Sequence, residues 1–360
     1  MLKKEWIEQG FIDECPLRGE TVKTGIINSS QQTKDSRQQT KVVDEGVADE
    51  ALKSAIRRMC AEKNAVILAH YYTDGSIQEV ADFVGDSLAL AREAAGTDAR
   101  VIVMCGVHFM AETCKLLSPE KLVLCPDLNA GCSLADSCRA EDLAVLKASH
   151  LGYTVVSYVN TTAAVKALTD IVVTSGNAKK IIDMLPEDER IIFGPDYNLG
   201  SYINSVTGRD MLLWRGGCHV HERFSVEGIV ALKRAHSDAL VLAHPECKGP
   251  VLKIADVVGS TAALLNYAVA HPEQSYIVAT EAGILFEMRR RCPETTFYPV
   301  PPEMSEGGVG CHCNECQYMK MNTLLKVYNC LKYEWPSVEV DAEIAKKAVK
   351  PIERMLEMSS

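Results

Sequence analysis

The chain has 360 residues, enough for two or three domains, and its 47 % apolar and 24 % charged residues exclude extended disorder and collagen-like repeats. Its net charge is −10, which speaks against a surface built to grip nucleic acid, because phosphates call for a basic face. No apolar run is long enough to span a membrane, and Met1–Gly10 carries charges but no apolar signal core, so a cytoplasmic location is expected. Fourteen cysteines are then read in a reducing compartment, where clustered thiols serve metals or catalysis more often than disulfides.

The first 45 residues carry no clear period and Asn28–Thr40 is polar, so residues 1–47 read as a loose extension. Glu50–Cys60 then places Ala51, Leu52, Ala55, Ile56 and Met59 at helical spacing, and Ala65–Ala69 follows as a short apolar strand covered on both faces. The same helix-then-strand pair recurs at Asp142–Lys147 with Thr154–Tyr158, and at Val226–Arg234 with Ala239–Ala243. Strands alternating with helices predict α/β layers with parallel sheets.

Three segments overlay without gaps: Asp82-FVGDS, Asp170-IVVTS and Asp256-VVGST, spaced 88 and 86 residues apart. Five positions after each Asp stands a hydroxyl, Ser87, Ser175 or Thr261. Twelve positions before each Asp a strand ends, carrying His70 and Tyr72, Tyr158 and Asn160, then His244 and Glu246. A second strand follows each hydroxyl (Val101–Met104, Arg190–Phe193, Ser275–Ala279), and then a third (Leu122–Leu124, Met211–Trp214, Thr296–Val300). The chain therefore reads as three copies of one α/β unit of about 87 residues.

Ligands of open α/β units sit beyond the carboxyl ends of the strands, where the paired polar residues fall. The hydroxyls are expected to open the next helices, as caps or as parts of anion sites. Three units facing inward would gather these groups around one pocket suited to a small polyanion.

The repeat also sorts the cysteines. Cys132 and Cys218 stand 50 and 48 residues after their repeat Asp, and the third unit offers Cys311, Cys313 or Cys316. One thiolate from each unit would make a three-cysteine site, and a [4Fe–4S] cluster held by three cysteines leaves one iron open as a Lewis acid. Cys311-x-Cys313-x-x-Cys316 with His312, and Cys218-x-x-His221, also have zinc-like spacing, but a second C-x₂-C half is missing. Cys138 is a rival to Cys132. The other eight, Cys15, Cys60, Cys105, Cys114, Cys125, Cys247, Cys292 and Cys330, read as small core hydrophobes.

Leu68-AHYYTDGSIQEVADFVGDSL, Gly106-VHFMAETCKLLSPEK, Gly131-CSLADSC, Cys218-HVH, His244-PEC, Val258-GST and Cys316-QYMKMN together resemble the quinolinate synthase family, from about Ala65 to Asn322. The resemblance implies three similar αβα, Rossmann-like parallel-sheet domains related by pseudo-threefold symmetry around a central iron–sulfur site. The expected boundaries are 1–47 for the extension, 48–130, 131–217 and 218–310 for the repeats, and 311–360 for a cluster-binding loop and C-terminal helix. It implies that iminoaspartate and dihydroxyacetone phosphate condense to quinolinate, with loss of phosphate and two waters, in NAD biosynthesis. Carried over by motif, Cys132, Cys218 and Cys316 would hold the [4Fe–4S] cluster, with Cys313 as the alternative third ligand. The substrate positions would be His70, Tyr72, Ser87, Tyr158, Asn160, Ser175, His221, His244, Glu246 and Thr261. All but His221 are also selected by the repeat.

Of these, Glu246 is expected as general base and Tyr72 and His244 as proton relays, with Tyr158 and Asn160 orienting the substrate. The hydroxyls and helix starts would hold carboxylates and phosphate. Small-molecule substrates are the expected partners, with no nucleic acid or membrane, and a transient contact with the enzyme that supplies iminoaspartate. Two other readings stand beside this one: a [4Fe–4S] hydro-lyase acting on a small hydroxy acid, and a non-catalytic iron–sulfur redox or sensor module.

Overall fold

The computed structural model describes residues 34–302 and 314–359, with side chains from Asp49 onward. Cys15, Cys311 and Cys313, and residues 1–33 of the expected extension, lie outside the described residues.

Three four-stranded parallel sheets repeat one topology, each with the strand order 2-1-3-4 of its own unit. The first holds β1 (Ala65–His70), β2 (Phe83–Gly85), β3 (Val101–Cys105) and β4 (Leu122–Leu124). The second holds β5 (Thr154–Tyr158), β6 (Ile171–Val173), β7 (Ile191–Phe193) and β8 (Leu212–Leu213). The third holds β9 (Leu240–Ala243), β10 (Val257–Val258), β11 (Tyr276–Ala279) and β12 (Phe297–Pro299). Central strands read as unbroken apolar runs because helices cover both faces; β3, VIVMC, is buried at every position.

Each unit thus has one strand more than the three expected. The extra strands β2, β6 and β10 are the apolar residues directly after the repeat Asp. With two or three residues each, they offer no period to recognise. The Asp itself is a clip. Its carboxylate accepts a backbone N–H from the unit's first strand: Ile67 to Asp82 at 2.7 Å, Val155 to Asp170 at 2.8 Å, Val241 to Asp256 at 2.7 Å. The Asp backbone N–H returns a bond to the carbonyl of the same residue, at 3.0, 2.9 and 2.9 Å. Both main-chain groups of one strand residue are satisfied by one aspartate, which pins the start of the extra strand.

Strand alternation decides what faces the centre. Side chains two apart share a face. Leu68, Val156 and Leu242, each fourteen residues before the repeat Asp, join one core that all three units build. Ile67, Val155 and Val241, one residue earlier, pack into three separate outer cores. His70, Tyr158 and His244 lie two residues beyond the inward set and so on its face.

The first helix, Lys34–Lys63, begins inside the stretch read as a loose extension, and residue 47 falls within it. Residues 34–63 contain no Pro and a single Gly, Gly46, so a helix anchored by Leu52, Ala55 and Ile56 in the core propagates back with one costly residue on the way. The C-terminal segment holds two helices rather than one. Leu324–Tyr333 packs Leu324, Val327 and Leu331 against that first helix, whereas Ala342–Met358 buries Ala348, Ile352 and Met355 in the shared core. Among the described residues, no helix is long and apolar enough to cross a membrane.

Candidate active site

The inner faces meet at one cavity. The first unit sends His70, Tyr72 and Ser87 to its wall, the second Tyr158, Asn160 and Ser175, and the third His221, His244, Glu246 and Thr261. Cys132, Cys218 and Cys316 line the same cavity. Every site position expected from sequence is therefore brought to this one place, and Val107, Phe109, Met110, Val220 and Met319 add apolar wall.

Two of the three hydroxyls open helices, and neither is the cap. Asp86 and Ser260 cap Ser87–Gly96 and Thr261–Ala270, accepting from the N–H groups of Ala89 and Ala263 at 3.1 and 3.3 Å. Ser87 and Thr261, one residue on, remain available to the cavity. Ser175 departs from the expectation: it lies in a turn ahead of the short helix Ala178–Met184, because Asn177 Oδ1 accepts the Thr174 N–H at 2.6 Å and delays the start.

A hydrogen-bonded chain links the units through their polar residues. Thr261 Oγ1 lies 2.7 Å from the Tyr72 hydroxyl, which lies 3.0 Å from Thr280 Oγ1. Thr280 Oγ1 stands 3.0 Å from His221 Nε2. His221 Nδ1 is 3.0 Å from Glu246 Oε2, an ion-pair distance at an angle that gives that nitrogen no proper hydrogen bond. Tyr158 donates to Glu246 Oε1 at 2.6 Å. Thr280 is buried and was not among the sequence candidates; it follows β11 directly, a strand end that the pairing rule of the repeat did not cover.

Burial sets the protonation states. It drives His70 and His244 down to about 3, so both imidazoles are neutral at pH 7. Their tautomer is fixed locally: the N–H of Tyr72 donates to His70 Nδ1 at 3.2 Å, and the N–H of Glu246 to His244 Nδ1 at 3.3 Å. The proton is left on Nε2, which in His244 faces Ser175 Oγ at 3.2 Å. Burial also pushes the Tyr72 and Tyr158 hydroxyls well above their ordinary range. Burial opposes the charge of Glu246, but the neighbouring His221 and the hydrogen bond from the Tyr158 hydroxyl hold its carboxyl below the usual range.

Two further buried donors hold the loops that carry these groups. Gln78 Nε2 donates to the carbonyls of Tyr71 and Thr73 at 3.0 and 2.9 Å. Lys166 Nζ donates to the carbonyls of Val159, at 2.9 Å, and Thr161. Each donor stands eight residues after His70 or Tyr158, so one clamp is built twice. The third unit has Leu252 there.

The thiols divide sharply. Of the described cysteines only Cys132, Cys218 and Cys316 are partly open, all to the cavity and none in a disulfide. Cys138, the rival, packs with Leu143, Val155, Val165 and Ile192 in the second unit's outer core. Burial pushes Cys132 up to about 12 and raises the other two, an environment in which ionised thiolates call for a cation. Three convergent thiols from three units suit an iron–sulfur cluster. Cys218, His221 and Glu246 also place ligand atoms within 4.8 Å of one another, a grouping able to hold a metal ion.

A family model described as "Quinolinate synthetase A protein" matches residues 54–357. The chain is 52 % identical over 308 residues to a quinolinate synthase of Microcystis aeruginosa, covering 86 % of this chain and 95 % of that protein. The quinolinate synthase of a Synechococcus strain is 52 % identical over 309 residues, with the same coverage. That of Thermosynechococcus vestitus is 53 % identical over 308, again covering 86 % and 95 %.

Proposed function

The chain belongs to the quinolinate synthetase A family, and from that premise we propose that it condenses iminoaspartate with dihydroxyacetone phosphate to give quinolinate, phosphate and two waters. The observation that carries this reading is the convergence of Cys132, Cys218 and Cys316, one following the last strand of each sheet, on the cavity that also holds Glu246. These cysteines would hold a [4Fe–4S] cluster. When bound, it supplies an iron with an open coordination position, a Lewis acid for substrate oxygens.

The chain's own groups would do the rest. Glu246, ionised and fixed by Tyr158, accepts protons at its carboxylate from the carbons of the condensing skeleton. Protons reach or leave the substrate at the Tyr72 hydroxyl, which Thr280 joins to His221 beside Glu246. Neutral His70 and His244 donate through Nε2. Ser87 and Thr261, with the free N–H groups at their helix starts, bind carboxylate or phosphate oxygens. Asn160 Oδ1, buried with no partner among the described residues, offers an acceptor to the substrate. Apolar walls exclude water from the dehydrating intermediates.

The test is an anaerobic preparation assayed for iron, sulfide and quinolinate formed from the two substrates. Cluster-bearing protein that makes quinolinate, and a Cys132→Ser variant that assembles no full cluster, is the expected result. Turnover of a single hydroxy acid without pyridine formation would favour the hydro-lyase, and a cluster with neither activity the redox module.

A further inference from the structure

Two buried carboxylates tie the cysteine loops to the sheets. Asp196 follows β7 and Glu281 follows β11, 26 and 25 residues after their repeat Asp, and both side chains are fully buried. Each divides its oxygens in the same way. Asp196 Oδ1 accepts from its own turn, the N–H of Leu199, at 2.9 Å, while Oδ2 accepts the N–H of Cys218 at 3.0 Å. Glu281 Oε2 accepts the N–H of Gly283 at 2.7 Å, while Oε1 accepts the N–H of Cys316 at 2.9 Å. A second strut joins the same segments, from the N–H of Ala282 to the carbonyl of Asn314 at 3.0 Å. In the first unit the matching position is His108, whose backbone N–H donates to the carbonyl of Ala130 at 2.7 Å, two residues before Cys132.

We propose that Asp196 and Glu281 are positioning residues for the cluster: each fixes the peptide of one ligand cysteine, Cys218 or Cys316, against the end of its unit's middle strand. The inference rests on reading those cysteines as cluster ligands. Loops without regular structure cannot alone hold two sulfurs at separations that suit one cluster. A carboxylate that accepts two N–H groups, one from a rigid turn and one from the ligand residue, transfers the rigidity of the sheet to the sulfur. It also occupies the cysteine's own N–H, so that this donor is not free to bond a cluster sulfur, one of the contacts that tune such centres. The first unit reaches the same end with main chain alone.

Asp196→Asn and Glu281→Gln keep size and shape but turn one oxygen into an amide NH₂, setting a donor against one of the two N–H groups. In anaerobically loaded full-length protein, iron release to a chelator should be about 10-fold faster or more in each variant, the range typical of outer-shell partners. The electron paramagnetic resonance spectrum of the reduced cluster should change, and Glu287→Gln, another buried carboxylate of the third unit, should match wild type in both readouts. Variants indistinguishable from a cluster-bearing wild type in release and spectrum would overturn the inference while leaving the proposed function intact; a wild type that binds no iron and sulfide would overturn the function itself. If neither variant folds, hydrogen exchange of the unaltered chain decides. The Cys218 and Cys316 amides should stay protected after the metal is removed, and rapid exchange there would refute the clip.

Discussion

The Tyr158 hydroxyl and the Glu246 carboxylate meet at 2.6 Å across the boundary between the second and third units. One strand end supplies the donor and the equivalent strand end of the next unit, two residues on, the acceptor. Charge-assisted bonds of this kind contribute about 1.5–3 kcal/mol when buried. Tyr158→Phe should therefore lower kcat/KM for quinolinate formation by roughly 10- to 100-fold without unfolding the chain. Glu246→Gln should cost more, on the order of 100-fold or beyond, as expected for loss of a general base. Steady-state assays on both variants check the order; a fully active Glu246→Gln enzyme would remove the base from the scheme.

Thr280 joins Tyr72 to His221 by hydrogen bonds of 3.0 Å on both sides. Thr280→Val preserves shape and breaks both. A roughly 10-fold or larger fall in kcat with little change in KM is expected, and Thr280→Ser should restore most of it. Equal kcat in the Val variant would show that no proton passes this way.

The repeat aspartates lie outside the lining of the cavity, so their loss should act on stability. Asp170→Ala leaves the Val155 N–H without its 2.8 Å acceptor, a loss of about 1–3 kcal/mol for a buried backbone donor. A lowered melting temperature with unchanged KM is the expected outcome, and Asp82→Ala and Asp256→Ala should behave alike because the clip is the same.

Lys166 makes stability depend on alkaline pH. Burial lowers its amine from the ordinary 10.5 to about 8 in the folded chain. The unfolded chain thus holds the extra proton between those values, so stability rises with pH across that window. Below about 8 the charged amine carries the full penalty, roughly 3 kcal/mol for a shift of this size. Denaturant melts of wild type and Lys166→Met from pH 7 to 10.5 isolate this contribution: the wild type should gain stability relative to the variant as pH rises. A flat difference would contradict the shift.

Much of the site was legible in the chain because the unit is written three times. His70, Tyr158 and His244 share one offset from the repeat Asp, Ser87, Ser175 and Thr261 another, and all six line the cavity. Strand parity accounts for the first three: residues two apart share a face, and Leu68, Val156 and Leu242 already mark the inward one. His221 came from motif resemblance and from its zinc-like spacing after Cys218, not from the repeat. Thr280, Asp196 and Glu281 were not found, although each follows the end of a unit's middle strand, where the repeat comparison stopped. Gln78 and Lys166 escaped for another reason: an amide and an amine at one offset do not look alike until their bonds to equivalent carbonyls are seen.

Composition, periodicity and the threefold offsets by themselves determined an α/β chain of three like units, with polar strand ends and cysteines at recurring places. Local rules suffice for that, since parity and apolar runs are set by neighbours within a few residues. Which thiols open to the cavity and which are core was decided by tertiary structure, as Cys132 and Cys138 show six residues apart. So was the partnership of Tyr158 with Glu246, 88 residues apart in sequence. Such pairings depend on how the three inner faces pack into one core, a contact between distant segments that no local pattern records.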